Sequence, residues 1–154
     1  MDDLRANRPA LPAGFTLHAT LTARDREQAV DLLLPTYWNA QVDRLRLARA
    51  LDNATCSVGV RDAACHLVGH ARALSDNAKY AWIYDVVVAE AHRGRGIGLA
   101  MVRALLDHAQ VREASTVLLK TRDAQALYAK LGFVEVSQLP PKPYASTEMA
   151  LIRR

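Results

Sequence analysis

Hydrophobic positions along this 154-residue chain recur with two spacings, one typical of helices and the other typical of strands. Apolar residues three or four positions apart predict amphipathic helices at 24–34, 41–51, 97–109 and 123–131. Alternating or β-rich runs predict strands at 15–21, 56–61, 66–74, 80–88, 116–120, 133–136 and 149–152. Short turns separate the three strands between 56 and 88, which favours an antiparallel meander.

The order of these elements predicts the fold class. A strand–helix–strand crossover late in the chain implies a mixed sheet, because such a crossover joins parallel strands. We therefore expect an α/β (α+β) fold with a mostly antiparallel sheet of six or seven strands, flanked by about four helices. No internal repeat or linker divides the chain, so residues 1–154 are predicted to form a single domain.

Composition narrows the classes of function. The net charge of +4 is smaller than a dedicated nucleic-acid binder usually carries, so we expect a small polyanionic partner and no nucleic acid. Cys56 and Cys65 lack the spacing of a zinc site or a disulfide framework, which favours a reducing cytoplasm. His66 and His70 would lie about 13 Å apart on a strand, so no metal site is expected. No signal peptide or membrane-spanning run is visible, and no membrane association is expected.

The glycine-rich turn before the third predicted helix is the most informative segment. Gly94, Gly96 and Gly98 alternate there, and glycine permits positive φ and close approach of the backbone to a ligand. The free N–H groups and the dipole of a helix N-terminus attract anions, so the turn predicts a phosphate site. It is not a Walker A loop, because no Lys-Ser/Thr pair follows. It is not a dinucleotide fingerprint either, because Leu99 and Met101 stand where the third glycine is required.

Two motifs carry a family resemblance. The spacing Arg93-x-x-Gly96-x-Gly98 resembles the R/Q-x-x-G-x-G/A acyl-CoA signature of the GNAT superfamily of N-acetyltransferases. About thirty residues later, the segment LYAKLGF at 127–133 is similar to the L-Y-x-K-x-G-F segment of the same family. The predicted order of elements also matches, so the resemblance covers nearly the whole chain. It implies transfer of an acetyl group from acetyl-CoA to a primary amine of a small molecule or peptide.

The resemblance also implies where acetyl-CoA would bind. A V-shaped opening is expected between the strand that ends at Val88 and the strand at 116–120. Backbone groups of the first strand would pair with the pantetheine amides, and the amides of the glycine turn would hold the pyrophosphate. The implied cofactor-binding residues are Val86, Val87, Val88, Arg93, Gly94, Arg95, Gly96, Ile97 and Gly98. Arg95 is expected to contact a phosphate or to remain a solvated charge.

Acetyl transfer needs a neutral amine and a proton for the departing thiolate. By the resemblance, Tyr128 stands at the position of the family's general acid. A phenol suits this role because it stays protonated near neutral pH. The alternative is a packed Tyr with its hydroxyl at the surface. Alternation places Asp85 on one strand face with the apolar Ile83 and Val87, which makes it a candidate base. Asp85 could equally be a structural carboxylate paired with Arg72, and family members often dispense with a single fixed base.

The acceptor is expected near the first helices and the meander. Trp38 lies in an aromatic loop that would line an amine pocket through cation–π contacts or would staple onto the second helix. Arg72 would bind a carboxylate of the substrate or neutralise Asp85. Tyr84 completes the expected substrate-binding set.

Two functions are compatible with this sequence. The first is an acetyl-CoA-dependent N-acetyltransferase that works by direct attack of the amine on the thioester. The alternative is a non-catalytic acyl-CoA-binding module that regulates a partner. Tyr128 favours the enzyme, because cofactor binding alone does not need a phenol there. The identity of the amine stays open, and a homodimer is compatible with the pattern.

Overall fold

A five-stranded sheet organises the chain, whose residues 10–153 are described by a computed structural model. Its strands are β1 (Thr16–His18), β2 (Cys56–Arg61), β3 (Leu67–Ser75), β4 (Tyr80–Val88) and β5 (Thr116–Leu118). They lie side by side in that order. Neighbours are antiparallel from β1 to β4, and β5 runs parallel to β4. The predicted meander and the predicted mixed sheet are both confirmed.

Four helices flank the sheet, as the periodicity predicts. They are α1 (Ala23–Leu33), α2 (Arg44–Asp52), α3 (Ile97–Asp107) and α4 (Gln125–Ala129). Single 3₁₀ turns follow α1 (Tyr37–Asn39), β4 (Glu90–His92) and α4 (Val136–Gln138). In the described part of the chain, no helix is long and apolar enough to cross a membrane.

Two apolar clusters hold the helices against opposite faces of the sheet. The cluster beneath α3 contains eight buried side chains of β2, β3 and β4, namely Cys56, Val58, Val60, Val68, Ala71, Ala73, Ala81 and Ile83. The cluster beneath α1 and α2 consists of Ala29, Val30, Leu33, Leu47, Leu51, Leu67 and Val87. Each fully buried Leu or Val contributes roughly 1.5–3 kcal/mol, so burial in these clusters stabilises the three-layer arrangement.

A reciprocal cap fixes the start of α1. The Thr22 hydroxyl accepts from the backbone N–H of Asp25 at 3.2 Å, and the Asp25 carboxylate accepts from the Thr22 N–H at 2.7 Å. The same carboxylate accepts from the Arg61 guanidinium on β2, whose Nε lies 2.9 Å away. This bond holds the pKa of the buried Asp25 well below its usual range. The cap thereby ties the first helix to the sheet.

The end of the chain differs from the prediction. The α/β class is confirmed, but within residues 10–153 the sheet has five strands instead of six or seven. The strands predicted at 133–136 and 149–152 are not formed. Gly132 has φ of 88°, residues Val136–Gln138 form a 3₁₀ turn, and Pro140 and Pro141 have no N–H to donate to a sheet. Without a hydrogen-bonding neighbour, an apolar run does not form a strand.

A β-bulge interrupts β4 at Asp85. His70 pairs with Val87, whereas Arg72 pairs with Tyr84, so β4 contains one residue more than β3 across this stretch. Asp85 takes a positive φ of 53°, which is uncommon for a residue other than glycine. The prediction that Asp85 shares one face with both Ile83 and Val87 is therefore wrong, because Ile83 lies in the cluster beneath α3. The extra residue reverses the alternation, and Val87 lies in the cluster beneath α1 and α2.

Candidate active site

Two adjoining cavities lie between the end of β4 and α4. The larger, of about 660 Å³, extends to the glycine turn before α3 and is called the α3 cavity. The smaller, of about 470 Å³, extends to Tyr84 and Asp85 and is called the β4 cavity. Seven residues line both and define the junction: Tyr37, Trp38, Val86, Arg122, Asp123, Ala124 and Tyr128. The β4 cavity reaches from β4 to Leu119, which directly follows β5, near the place where the opening is predicted.

The glycine turn has the geometry that its sequence predicts. Gly94 has φ of 73°, and Gly96, the residue that precedes α3, has φ of 82°. A Cβ at either position would meet no atom within 4 Å, so the backbone there borders open space. Among the side chains of residues 10–153, none caps the N-terminus of α3. The turn therefore has room and unsatisfied N–H groups for a phosphate group.

The two arginines of the turn have different surroundings. Arg93 lines the α3 cavity, and its Nε donates to the Val88 carbonyl at 3.0 Å. Arg95 is not among the residues that line this cavity. Its guanidinium lies 5.0 Å from the ring centroid of Phe15. The remaining predicted cofactor-binding residues, namely Val86, Val87, Val88, Gly94, Gly96, Ile97 and Gly98, all line the α3 cavity.

Tyr128 presents its phenol at the junction. The residue lies on α4, and its ring packs edge-on against Phe133 with 5.9 Å between the centroids. Within residues 10–153, the Tyr128 hydroxyl has no hydrogen-bond partner, whereas every fully buried side-chain N or O atom has one. The hydroxyl is therefore not fully buried, and it is accessible from the cavities that Tyr128 lines. Burial is the main cause that raises the pKa of Tyr128, and the nearby Tyr37 raises it further. The phenol therefore stays protonated at neutral pH.

Asp85 is fully engaged in hydrogen bonds. One carboxylate oxygen accepts from Trp38 Nε1 at 3.0 Å and from Asn39 Nδ2 at 3.4 Å. The other accepts from Arg72 Nε at 2.7 Å. The side chains of Asp85 and Arg72 are only 7% and 12% exposed. This geometry is that of the structural ion pair, the second of the two interpretations that the sequence leaves open.

Two of the three predicted substrate-binding residues line the cavities, and the third, Arg72, does not. Trp38 lines both cavities, and Tyr84 lines the β4 cavity. Arg72 lines neither of them, because its guanidinium is turned to Asp85 and lies 5.1 Å from the Tyr84 ring centroid. The aromatic loop of Trp38 thus faces the cavities and is tethered to the bulge of β4.

Comparisons with known proteins identify the family. A family model described as Acetyltransferase (GNAT) family matches residues 23–133. The chain belongs to the GNAT family. It is 37% identical over 90 residues to an uncharacterized N-acetyltransferase of Pyropia yezoensis, a match that covers 56% of this chain and 52% of that protein. The chain spans about half the length of this relative and of a second uncharacterized N-acetyltransferase, from Porphyra purpurea.

Other GNAT relatives are similar over different extents. Glucosamine 6-phosphate N-acetyltransferase 1 of Oryza sativa is 46% identical over 54 residues, which cover 34% of this chain and 33% of that protein. A GNAT-family protein from Xanthomonas campestris superposes with a TM-score of 0.73 at 27% identity and covers 88% of this chain and 96% of its own. Glucosamine-6-phosphate N-acetyltransferase from Arabidopsis thaliana superposes with a TM-score of 0.64 at 18% identity, covers 85% and 99%, and supports the fold alone.

Arg122 and Asp123 are the site residues that sequence reasoning missed in this GNAT protein. In the segment before α4, Thr121 Oγ1 accepts from the Ala124 N–H at 3.0 Å. Both charged residues also line the junction. The Arg122 guanidinium carbon lies 3.8 Å from the Tyr37 ring centroid. The position of this segment directly after β5 is the one signal that could have revealed them.

Proposed function

We propose that this chain is an acetyl-CoA-dependent N-acetyltransferase that acetylates a primary amine. The observation that carries the proposal is the position of Tyr128, which lines two cavities, one bordered by the glycine turn and the other by Tyr84 and Asp85. Membership of the GNAT family supports the same reaction class. A donor and an acceptor could thereby approach the phenol from opposite sides.

The α3 cavity fits the donor. Acetyl-CoA supplies a thioester, whose carbonyl carbon is open to attack by an amine. Backbone N–H groups at Gly94, Gly96 and the first turn of α3 would hold the pyrophosphate, where the helix dipole favours negative charge. The Val86 backbone would orient the pantetheine arm, whereas the Val88 carbonyl is already bound by Arg93.

Tyr128 would supply the proton that the reaction needs. The amine nitrogen forms a C–N bond with the acetyl carbon, the C–S bond breaks, and the sulfur takes the Tyr128 proton. A cationic acceptor first loses one proton to water, the attacking amine loses a second proton to water as the amide forms, and the phenol regains its own proton from solvent. Asp85 would position Trp38 and the bulge of β4 in this scheme, because both of its oxygens already accept hydrogen bonds.

The reaction class is tested by thiol release. Purified protein is incubated with acetyl-CoA and a panel of amines: glucosamine 6-phosphate, spermidine, 2-phenylethylamine and a lysine peptide. The amino sugar phosphate is included because rice relatives carry that substrate in their names. We expect amine-dependent release of CoA with at least one of them. Binding of acetyl-CoA in a calorimeter without release from any amine would support the non-catalytic module instead.

The role of Tyr128 is tested by Tyr128→Phe, which keeps the ring and removes the proton. We expect kcat to fall by about 10²- to 10⁴-fold, while acetyl-CoA affinity stays within about twofold of the wild type. Steady-state kinetics and calorimetry measure the two quantities. Tyr80→Phe is the matched control, because Tyr80 lies on β4 and lines neither cavity. An unchanged kcat in Tyr128→Phe would remove Tyr128 from the mechanism.

A further inference from the structure

A cation of the chain itself occupies the junction beside Tyr128. The Arg122 guanidinium carbon lies 3.8 Å from the centroid of the Tyr37 ring. One of its nitrogens lies 3.7 Å from a carboxylate oxygen of Asp123. All four residues line both cavities. A positive charge is therefore held where the two cavities meet.

The groups around this guanidinium are those that bind a cation. An aromatic face attracts a positive charge through its quadrupole, and a carboxylate attracts it directly. Trp38 extends the aromatic wall, with its ring edge-on to Tyr37 at 4.9 Å between centroids. The other carboxylate of the β4 cavity, Asp85, already has Arg72 as its partner. Asp123 is thus the acidic group that an incoming cation would meet here.

The hold on Arg122 is weak. Its side chain is 63% exposed and that of Asp123 is 69% exposed. Ion pairs and cation–π contacts at exposed positions are individually weak. A ligand cation of similar size can therefore displace the guanidinium into solvent at small cost.

We propose that the Arg122 guanidinium occupies the site at which the acceptor's ammonium group binds. A primary alkylammonium would bind between the Tyr37 ring and the Asp123 carboxylate, while Arg122 swings outward. This inference rests on the proposed function, and it specifies the acceptor as an amine that is positively charged in solution. Tyr37 and Asp123 become residues that bind the amine next to Tyr128.

A binding experiment without acetyl-CoA tests this assignment. The chain has two tryptophans, Trp38 and Trp82, so Trp82→Phe leaves Trp38 as the one indole reporter. Its fluorescence is titrated with n-butylamine at pH 7, where the amine is cationic, and with n-butanol, its neutral counterpart. We expect a saturable change with butylamine and none with butanol. A response to both ligands, or to neither, overturns the inference.

Two substitutions in this background locate the cation. Arg122→Gln removes the competing charge, and we expect butylamine to bind about 3- to 10-fold more tightly. Asp123→Asn removes the attracting charge, and we expect about 3- to 10-fold weaker binding. Equal affinity in Arg122→Gln and the parent would show that Arg122 is only a surface charge. Retained affinity in Asp123→Asn would also contradict the proposal.

The chain offers a matched control pair. Arg112 and Glu113 are also adjacent, with an ion-pair distance of 3.3 Å and exposures of 61% and 65%, and they line neither cavity. Arg112→Gln and Glu113→Gln should therefore leave butylamine affinity unchanged. The readout needs no acetyl transfer, so failure of thiol release would disprove the proposed function separately from this cation site.

Discussion

At the scale of single residues, Asp85 shows how a side chain that looks like a base in the sequence can also be a partner in a structural ion pair. Its sequence neighbours are apolar, which suggests a buried carboxylate that could act as a base. In the folded chain, Arg72, Trp38 and Asn39 donate to its two oxygens. These three donors occupy three of the roughly four acceptor positions of the carboxylate. Its contribution lies in holding the aromatic loop against β4.

Asp85→Asn tests this structural role. The substitution leaves the Arg72 guanidinium nearly buried without a counter-charge, and we expect the free energy of unfolding to fall by about 3 kcal/mol. Urea titration measures the change. Asp31→Asn is the control, because Asp31 pairs with Arg44 at the surface and should cost no more than about 1 kcal/mol. If Asp85 were the base, the acidic limb of the pH profile of kcat would disappear in Asp85→Asn.

At the scale of elements, the sequence predicts what local chemistry determines. The meander and the four helices follow from periodicity, and Gly94 and Gly96 take the positive φ that glycine permits. The bulge at Asp85 leaves no mark in the sequence, because three valines follow and any of them suits either face. The role of Arg122 is equally hidden, since its partner Tyr37 is distant in sequence. Such contacts depend on how elements meet.

Substitution of Gly96, which precedes α3, tests whether the glycine turn binds acetyl-CoA. Gly96→Ala should cost about 1–2 kcal/mol of stability, because its φ of 82° suits an L-residue poorly. The added methyl group would also occupy the open space of the turn. We expect acetyl-CoA affinity to fall by at least about tenfold, which corresponds to the loss of one charge-assisted hydrogen bond. Calorimetry and urea titration measure the two effects.

A second glycine separates strain from binding. Gly132 has φ of 88°, meets no atom within 4 Å of an added Cβ, and lies outside the lining of both cavities. Gly132→Ala should therefore lose similar stability and keep its affinity for acetyl-CoA. Equal loss of affinity in both variants would mean that strain alone weakens binding and that the turn before α3 is not the phosphate site.

At the scale of the whole molecule, the sheet separates two interiors that differ in polarity. The cluster beneath α3 is apolar, whereas the opposite face also buries the charged Asp25 and the imidazole of His70. His70 Nδ1 lies 3.3 Å from the carbonyl oxygen of Asp85, so the neutral ring donates to the backbone at the bulge. Both the helix cap and the bulge therefore depend on groups whose protonation changes with pH.

His70 makes stability depend on pH in a defined window. Burial is the main cause that lowers the pKa of His70 from 6.5 to about 4. Above pH 6.5 the His70 ring is neutral in both the folded and the unfolded chain, so it contributes its full share to the free energy of unfolding. As pH falls towards 4, the unfolded chain binds a proton that the folded chain does not, so the free energy of unfolding falls by up to roughly 3 kcal/mol. Below pH 4 both states are protonated and this loss stops.

Urea titrations between pH 7.5 and 3.5 would measure this slope. His70→Gln has no titrating ring and can still donate to the Asp85 carbonyl, so we expect the decline between pH 6.5 and 4 to disappear. His66→Gln, at an exposed position, should keep the wild-type decline. Because Asp25 also has a lowered pKa, both variants should lose further stability below pH 4, as its pairing with Arg61 fails. A decline that persists in His70→Gln would place the titrating group elsewhere in the molecule.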